Sequence, residues 1–328
     1  LKLPKDTDIS FEDRIKGKIT FNTNDMDDQV LIKEDGYPTY HFAVIVDDHE
    51  MGITHVVRGD EWISSTPKHV FLYQAFGWEA PEYIHLPTVL NKDHKKYSKR
   101  NGDGMVEDFI ERGYLPEGLI NYLALLGWSP DSEEEIFTMK ELADQFTFDR
   151  VNKTGAVFDV RKLDWVNGHY VREMSVEDLA AAIKPYCIEA GFFGEDYPEE
   201  KLNLLAATWQ SAIDKFTDIK DEAYVYYVDD KDMKWTDEAV EAIKTDEAKT
   251  LFDAFIGKLE EVDEVDSDFA KTIMKSIQKE TGIKGKNLWF PVRAGLTGNV
   301  HGPELVNAFV IMGKEKMIDR LNYVKENF

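Results

Sequence analysis

One strand–helix–strand unit restricts the fold of this chain more than any other feature of the sequence. Ile53–Val57 predicts a short strand of the buried type, and it ends at Arg58. Ser64–Pro67 predicts a helix start, because hydroxyl residues cap helices and Pro suits the first turn, and Gly77 predicts the helix end. Tyr83–Leu90 predicts the next strand. This succession within about 40 residues is half of a doubly wound, nucleotide-binding α/β fold.

The segments on either side of this unit predict different architectures. Residues 1–36 contain alternating stretches bounded by Asn, Asp and Gly, including Lys16–Phe21 and Gln29–Ile32, and these predict two or three antiparallel strands. From Pro116 onward apolar residues recur mainly at helical spacing, with a capping box at Thr138–Glu141. The sequence therefore predicts a multidomain chain that is α/β in its first part and all-α in its later part.

Several side chains of the later part are predicted to lie in a core. We expect this of Leu163 and Trp165, and also of Trp289 and Phe290, although an aromatic ring can instead stack on an unpaired base. Cys187 lies in a helical pattern without a nearby histidine, so we predict a structural role for its thiol.

One segment concentrates positive charge in an acidic chain. Five of the nine residues from Lys92 to Arg100 are Lys or Arg, whereas the net charge of the whole chain is −24. The segment follows the predicted strand Tyr83–Leu90, and Ser98 places a hydroxyl between its basic side chains. Ammonium groups on flexible stems, with a hydroxyl donor between them, suit a polyphosphate ligand. From charge alone, a solvated basic loop is the alternative interpretation.

Arg58 is a second candidate ligand-binding residue. It stands at the carboxyl end of a predicted parallel strand, which is where open α/β sheets bind ligands. A guanidinium at this position can hold a carboxylate by a bidentate fork. The alternative is an ion pair with Asp60 or Glu61, and residue spacing alone leaves both possibilities open.

Length and composition exclude several classes of protein. A chain of 328 residues with 43% hydrophobic residues can hold about two to four folded domains. No apolar run reaches the length of a membrane span, so we predict no membrane partner. The acidic balance argues against non-specific DNA binding, which needs broad basic surface, and we predict no DNA partner. It leaves open a nucleic-acid partner that is bound through local basic patches. A single cysteine cannot form an internal disulfide, and this favours a reducing cytoplasm.

Six stretches, spread over nearly the whole chain, carry a family resemblance. They are Asp35–Ala43, Gly52–Trp62, Lys96–Arg100, Leu115–Trp128, Phe158–Gly168 and Pro291–Gly298. In content and in order they resemble the motifs of class I aminoacyl-tRNA synthetases, and more closely those of the bacterial glutamyl-tRNA synthetases. The resemblance implies a cytoplasmic, monomeric ligase that activates glutamate with ATP as its substrate, together with Mg²⁺. Its partner would be tRNA(Glu), to which it would transfer the glutamate.

The resemblance also implies roles for the basic segment. Lys96–Arg100 occupies the place of the family's second signature, KMSKS, from which Tyr97 and Arg100 depart. By this resemblance Lys99, assisted by Lys96, would neutralise phosphate charge while the adenylate forms. Ser98 and Arg100 would contribute to the same ATP site.

Four further residues match substrate-binding positions of the family. Tyr40 and Arg58 match positions that bind glutamate, where a phenol fixes orientation and a guanidinium holds a carboxylate. Glu61 and the backbone of Val89 match positions near ATP. No protein-bound metal is predicted in this chain.

The implied organisation has four parts. Residues 1–36 would be a β-rich remnant of the acceptor-binding insertion, and residues 37–91 the second half of a class I Rossmann-type catalytic domain. Residues 92–175 would hold the KMSKS-type loop and a stem-contact domain, followed by a helical anticodon-binding region over residues 176–328. The family's first signature, His-Ile-Gly-His, does not occur in the sequence. We therefore expect the larger, carboxyl-terminal part of a longer synthetase, inactive on its own.

Four alternatives remain open at this stage. Glutaminyl-tRNA synthetases share the catalytic half but resemble β-barrel anticodon domains at their carboxyl end, which the helical pattern disfavours. The truncated paralogue that glutamylates the queuosine base lacks an anticodon domain. A non-catalytic tRNA-binding adaptor would have no reason to keep Tyr40, Arg58 and the loop lysines together. A generic acidic helical scaffold explains the helical part but not the first 165 residues.

Overall fold

The computed structural model describes residues 1–98 and 104–328. The chain divides into two compact units. Unit 1 comprises Leu1–Asp108 and Pro116–Val166, and unit 2 comprises Phe109–Leu115 and Asn167–Phe328. The two units are defined by which residues pack together, and packing does not test function. The division into four functional parts therefore stays a prediction.

Unit 1 is built on a four-stranded mixed sheet of order β2–β1–β4–β3. The strands are β1 (Asp8–Asp13), β2 (Gly17–Asn22), β3 (His55–Gly59) and β4 (Glu82–Leu86). β1 pairs antiparallel with β2, whereas β4 pairs parallel with both β1 and β3. The first 36 residues thus supply two strands to the sheet that also contains the predicted strand–helix–strand unit. Their assignment to an acceptor-binding insertion remains a prediction.

Helix α2 (Thr66–Phe76) connects β3 to β4, as the sequence predicted. It ends at Gly77, whose φ of 69° is a left-handed conformation that favours glycine. Val70 on α2 packs with Ile9, Phe11 and Tyr83 of the sheet in one buried cluster. Helix α1 (Tyr40–Glu50) precedes β3 and packs against α2. The prediction of a strand at Gln29–Ile32 was wrong, because that segment forms only an isolated bridge between Ile32 and Pro38.

Short helices complete unit 1. They are the first turn of α3 (Val106–Glu111), α4 (Pro116–Gly127) and α5 (Met139–Gln145). The unit boundaries fall within α3, directly before α4, and within α6 (Val160–Glu173). The capping box predicted at the start of α5 is confirmed, since the side chains of Thr138 and Glu141 each accept from the other's backbone N–H. Leu163 is buried, as expected. The prediction for Trp165 was wrong: its ring is 40% exposed, and the Lys162 ammonium lies 4.2 Å from the ring centroid.

Unit 2 is helical over its described residues and contains one extensive hydrophobic core. Its helices after α6 are α7 (Val176–Glu189), α8 (Glu199–Trp209), α9 (Ile219–Glu222), α10 (Tyr224–Tyr227), α11 (Asp237–Ile243), α12 (Asp246–Glu260), α13 (Ser267–Thr281), α14 (Lys286–Thr297) and α15 (Leu305–Asn327). Helix α15 is interrupted at Gly313, where the backbone leaves helical geometry. Cys187 is fully buried in the core, which agrees with a structural role.

Candidate active site

The parallel strands β3 and β4 place Arg58 at the edge of the sheet that binds ligands in open α/β folds. Arg58 lies one residue before the carboxyl end of β3, and its register partner on β4 is His85. The 3-10 turn Asp60–Trp62 and then the start of α2 follow directly. Local sequence thus places the guanidinium close to the first turn of α2, and parallel strand pairing adds the end of β4 to the same small region.

Three uncharged groups accept hydrogen bonds from the Arg58 guanidinium. Nη2 donates to the Thr66 hydroxyl at 2.7 Å, and Nε donates to Nε2 of His85 at 3.2 Å. Nη1 lies 3.4 Å from Nδ1 of His69, which makes a longer and weaker contact. A guanidinium carries five N–H donors, so these contacts leave two donors for a ligand.

Burial keeps the histidine partners of Arg58 neutral. It lowers the pKa of His69 to about 3, helped by the charge of Arg58. Burial also lowers the pKa of His85, against the opposing effect of its hydrogen bond to Asp13. The pKa of Arg58 itself is lowered by burial, with Tyr83, Tyr40 and Asp48 acting in the opposite direction. The positive charge of Arg58 is therefore held by neutral acceptors.

Tyr40 and Arg58 border the same aromatic ring. The Tyr40 ring centroid lies 5.2 Å from that of Trp62, and the Arg58 guanidinium carbon lies 5.6 Å from the Trp62 ring. Tyr40 is 54% exposed, whereas Arg58 is half-buried. The structure thus brings together the two residues that the resemblance assigned to glutamate.

The alternative ion pairs of Arg58 are not formed among the residues described. Asp60 accepts from the Thr88 hydroxyl at 2.8 Å and lies 3.6 Å from the Lys16 ammonium. Glu61 accepts from the Lys96 ammonium at 2.6 Å. Each neighbouring carboxylate thus has a cationic partner other than Arg58.

The pair Lys96–Glu61 unites two residues predicted to lie near ATP. A short hairpin positions Lys96: the Tyr97 amide donates to the Val89 carbonyl at 2.8 Å, and Leu90 bridges to Lys96. The hydrogen bond from Lys96 lowers the pKa of the Glu61 carboxyl, which keeps it ionised. The hairpin therefore places Val89, Lys96 and Glu61 in one neighbourhood.

The basic segment is described only in part. Tyr97, one of the departures from the family signature, stacks on Phe158 with ring centroids 4.8 Å apart, and its hydroxyl accepts from the Gly104 amide at 3.1 Å. Ser98 is half-buried. Lys99 and Arg100, the other predicted ATP-binding residues of this segment, lie outside the described residues.

An apolar cleft of about 580 Å³ opens beside Val89 within unit 1. Its walls come from the end of β4 and from α4 and α5, and they include Leu123, Trp128, Leu142 and Phe146. A cleft of this size and character can take a flat aromatic group.

The described basic residues near the start of α14 form a small exposed group in unit 2. Lys284 and Lys286 are exposed, and the Lys286 ammonium lies 5.5 Å from the Phe290 ring centroid. The prediction that Trp289 is core was wrong, since 41% of its surface is exposed. Arg293 does not belong to this group, because it is half-buried and donates to the Pro303 carbonyl.

Sequence reasoning missed the polar residues behind Arg58. They are Asp13, His41, Thr66, His69 and His85. One signal was available: six of the eight histidines lie before residue 95. Their convergence needs the parallel pairing of β4 with β1 and β3, which no local pattern shows.

Two kinds of feature are absent from the described ranges 1–98 and 104–328. No helix there is both long enough and apolar enough to cross a membrane. No group of three or more His, Cys, Asp or Glu side chains there is arranged to hold a metal ion.

Comparison with known proteins assigns the chain to a family. Residues 1–165 match the family described as tRNA synthetases class I (E and Q), catalytic domain, and residues 178–325 match an anticodon binding domain. The chain belongs to the class I tRNA synthetases of the E and Q type. The second match covers most of the all-α unit 2, so the fold class predicted from the sequence is confirmed.

This synthetase chain is similar to proteins that are named glutamate–tRNA ligases. It is 54% identical over 322 residues to the glutamate–tRNA ligase of Finegoldia magna, covering 98% of this chain and 65% of that protein. It is 48% identical over 330 residues to the glutamate–tRNA ligase of Alkaliphilus metalliredigens, covering 100% and 67%. The chain thus spans about two thirds of the length of these relatives.

A solved structure supports the same fold. The crystal structure of a glutamate tRNA ligase from Elizabethkingia meningosepticum, in complex with its amino acid, matches with a TM-score of 0.84 at 33% identity. The match covers 99% of this synthetase chain and 67% of that one.

Proposed function

We propose that this chain is the larger part of a glutamate–tRNA ligase. In this reaction a carboxylate oxygen of glutamate attacks the α-phosphorus of Mg²⁺-bound ATP, and pyrophosphate leaves. The ribose hydroxyl at the 3′ end of tRNA(Glu) then attacks the glutamyl carbonyl and releases AMP. Such chemistry requires mostly positioning and charge stabilisation from the protein. The names of the relatives at 54% and 48% identity support this assignment.

The observation that carries the proposal is the set of neutral partners around Arg58. A half-buried guanidinium whose described hydrogen bonds go to Thr66, His69 and His85 has no ionised acceptor among them. The free energy of such a buried cation falls when an anion joins it, because its charge is then neutralised at close range. Two remaining N–H donors beside Tyr40 suit one carboxylate of glutamate, held by a bidentate fork and oriented by the phenol.

Lys96, Ser98, Lys99 and Arg100 are proposed to bind the ATP phosphates. Lys96 now pairs with Glu61, so phosphate binding would exchange one anionic partner for another of higher charge. We place the adenine near the Val89 backbone, where the apolar cleft supports contact with a flat ring. Mg²⁺ would enter with ATP as part of the substrate.

Unit 2 is proposed to bind tRNA(Glu). Its match to an anticodon binding domain supports this, and the exposed group Lys284, Lys286 and Trp289 has the composition of a nucleic-acid contact. Lysines contact phosphates, and an exposed indole can stack on an unpaired base. We also propose that the enzyme acts as a cytoplasmic monomer.

The catalytic test uses the chain completed with the part of the Finegoldia magna ligase that lies outside the match. We call this protein the completed chain, and we assay glutamate-dependent exchange of pyrophosphate into ATP. Arg58→Leu is expected to raise the KM for glutamate about a hundredfold or more, because two charge-assisted hydrogen bonds are lost. The matched control is Arg14→Leu, since Arg14 belongs to the same unit but pairs with Glu82 on the surface. An unchanged KM in Arg58→Leu would remove Arg58 from the glutamate site.

The same assay tests substrate choice. Exchange that depends on glutamine rather than glutamate would assign the chain to the glutaminyl branch of the family. Absence of exchange with either amino acid in the completed chain, alongside intact tRNA binding, would favour a non-catalytic adaptor. The chain by itself is assayed in parallel.

The tRNA proposal is tested by binding at several salt concentrations. We expect the chain to prefer tRNA(Glu) over an unrelated tRNA, with a modest salt slope because few phosphate contacts are available. Lys284→Ala with Lys286→Ala should lower the slope, whereas Trp289→Ala should weaken binding at every salt concentration. Equal affinity for the two tRNAs would contradict an autonomous anticodon-reading unit.

A further inference from the structure

The Arg58 guanidinium is anchored by a chain of hydrogen bonds that begins at a buried carboxylate. Oδ2 of Asp13 lies 2.6 Å from Nδ1 of His85 and 3.0 Å from its backbone nitrogen. Both side chains are buried, and Nε2 of His85 faces Nε of Arg58 at 3.2 Å. The chain of contacts therefore runs from the end of β1, through β4, to the end of β3.

The carboxylate determines which nitrogen of His85 carries the proton. An ionised carboxylate only accepts, so Nδ1 of His85 must be the donor toward Asp13. In the neutral ring this leaves a lone pair on Nε2, which accepts from the Nε–H of Arg58. A proton on Nε2 would instead face that N–H group.

Thr66 completes the same edge of the guanidinium. Its oxygen accepts from Nη2 of Arg58 at 2.7 Å and lies 3.1 Å from Nε2 of His85. The hydroxyl proton has a separate acceptor, the Trp62 carbonyl at 3.0 Å. Two adjacent acceptors thus receive two adjacent N–H groups, which defines the plane of the guanidinium as a bidentate contact does.

His69 and His41 repeat the arrangement on the other side. Nδ1 of His69 faces Nη1 of Arg58, so its lone pair lies there and its proton lies on Nε2. That Nε2–H group can donate to Nδ1 of His41, 2.9 Å away. The guanidinium therefore has lone pairs behind it on both sides and N–H donors left for a ligand.

We propose that Asp13 and His85 are positioning residues, which hold the Arg58 guanidinium in the plane that receives the substrate carboxylate. The inference rests on the proposed function, in which Arg58 binds glutamate. Asp13 sets the tautomer of His85, and His85 supplies the lone pair that prevents rotation of the guanidinium. Neither residue touches the substrate, so their loss affects glutamate binding through Arg58 alone.

A matched pair of variants at position 85 separates positioning from general stability. The carbonyl oxygen of Gln can occupy the place of Nε2 and accept from Arg58, whereas Leu offers no acceptor. In the completed chain we expect His85→Leu to raise the KM for glutamate about tenfold to a hundredfold. We expect His85→Gln to stay within about threefold of the parent, because it keeps an acceptor for Arg58. The KM for ATP should be unchanged in both.

Asp13 is tested spectroscopically because it also supports the fold. Its Oδ1 accepts from the amides of Ile15 and Lys16 at 3.0 and 2.8 Å, so a substitution there can disturb the turn after β1. Nitrogen NMR of the histidine rings in the chain as it stands should show His85 neutral and protonated on Nδ1 at pH 7. A ring protonated on Nε2, or charged, would overturn the inference.

Three kinetic outcomes separate a failure of this inference from a failure of the proposed function. If Arg58→Leu raises the KM for glutamate but His85→Leu does not, Arg58 binds glutamate without help from Asp13 and His85. Equal increases in His85→Leu and His85→Gln would also refute positioning, since a role in packing alone predicts no rescue by Gln. If Arg58→Leu itself leaves the KM unchanged, the glutamate assignment fails first.

Discussion

Replacing Arg320 should destabilise unit 2 far more than replacing its neighbour Lys316. Both cations bind Asp230, with nitrogen–oxygen distances of 2.9 Å. The Arg320 side chain is 0% exposed, and that of Lys316 is 26% exposed. Arg320 also donates to three backbone carbonyls, those of Val225, Leu296 and Val228.

The magnitude follows from the groups that each substitution leaves unpaired. Arg320→Met strips the donor from the carbonyls of Val225 and Leu296 and weakens the pairing of Asp230. Each buried acceptor without a donor costs about 1–3 kcal/mol, so the two carbonyls together cost about 2–6 kcal/mol. Asp230 keeps Lys316 as a partner, so the full cost of breaking a buried ion pair does not apply. We therefore expect Arg320→Met to lower the free energy of unfolding by about 3–5 kcal/mol. Lys316→Met leaves Arg320 on Asp230 and should cost about 0–1 kcal/mol.

Hydrogen exchange of the intact chain measures this difference locally. Amides of α13 and α15 should exchange about a hundred to a few thousand times faster in Arg320→Met, since about 1.4 kcal/mol corresponds to a factor of ten. In Lys316→Met they should change less than about tenfold. Similar rates in the two variants would show that the buried hydrogen bonds of Arg320 contribute no more than the partly exposed ion pair of Lys316, and the reasoning would be refuted.

The pH dependence of stability tests the same group of residues, Asp230, Lys316 and Arg320. Burial tends to raise the pKa of Asp230, but the hydrogen bonds from Arg320 and Lys316 outweigh it and leave that pKa lowered. The folded state then binds fewer protons than the unfolded state. Asp230 therefore contributes fully to the free energy of unfolding above about pH 4, which is its pKa in the unfolded state. This contribution is lost as the pH falls through the lower pKa of the folded state. The difference in the free energy of unfolding between the parent and Arg320→Met should therefore become smaller in acid.

Three further predictions concern other parts of the chain. Because burial lowers the pKa of His69 to about 3, below the unfolded value of about 6.5, the unfolded state binds the extra proton between these values. The free energy of unfolding of unit 1 should thus fall from pH 6.5 toward pH 3. Denaturant titrations at several pH values measure how steeply it falls, and in His69→Gln this dependence should be smaller by up to about 1.4 kcal/mol per pH unit. Gly282→Ala should destabilise unit 2 by ~1 kcal/mol, and Gly298→Ala by several times as much. Both glycines end helices at positive φ, but a Cβ at Gly298 would also collide with the Lys234 carbonyl, whereas a Cβ at Gly282 would meet nothing. Thermal melts of the two variants test this, and equal shifts would contradict it. Burial raises the pKa of the Cys187 thiol to about 12, so thiol reagents should modify it only after denaturation, and rapid labelling of the native chain would contradict its burial.

The elements with strong local signals were predicted well. The start of α2 near Pro67 and its end at Gly77 were predicted correctly from residues within one turn of each other, but the predicted hydroxyl cap is not formed, because the side chain of the N-cap residue Ser65 makes no capping hydrogen bond. The capping box of α5 has the same local origin. Gln29–Ile32 failed as a strand because alternation alone does not supply a pairing partner.

Exposure was predicted less reliably than secondary structure. Trp165 and Trp289 lie on helices but face outward, and nothing in their immediate sequence distinguishes them from buried aromatic residues. Which face of a helix is covered depends on the elements packed against it, and these come from distant parts of the chain.

The sequence by itself determined the class of the fold, the position of Arg58 at a strand end, and the family motifs that contain Tyr40, Glu61 and Lys96. These follow from residues close together in the chain. Tertiary structure alone decided that Asp13 and His85, 72 residues apart, would meet behind Arg58. It also decided that Glu61 would pair with Lys96 rather than with Arg58. The physical reason is the parallel sheet: strands distant in sequence end side by side, and burial there selects which charged and neutral groups can face each other.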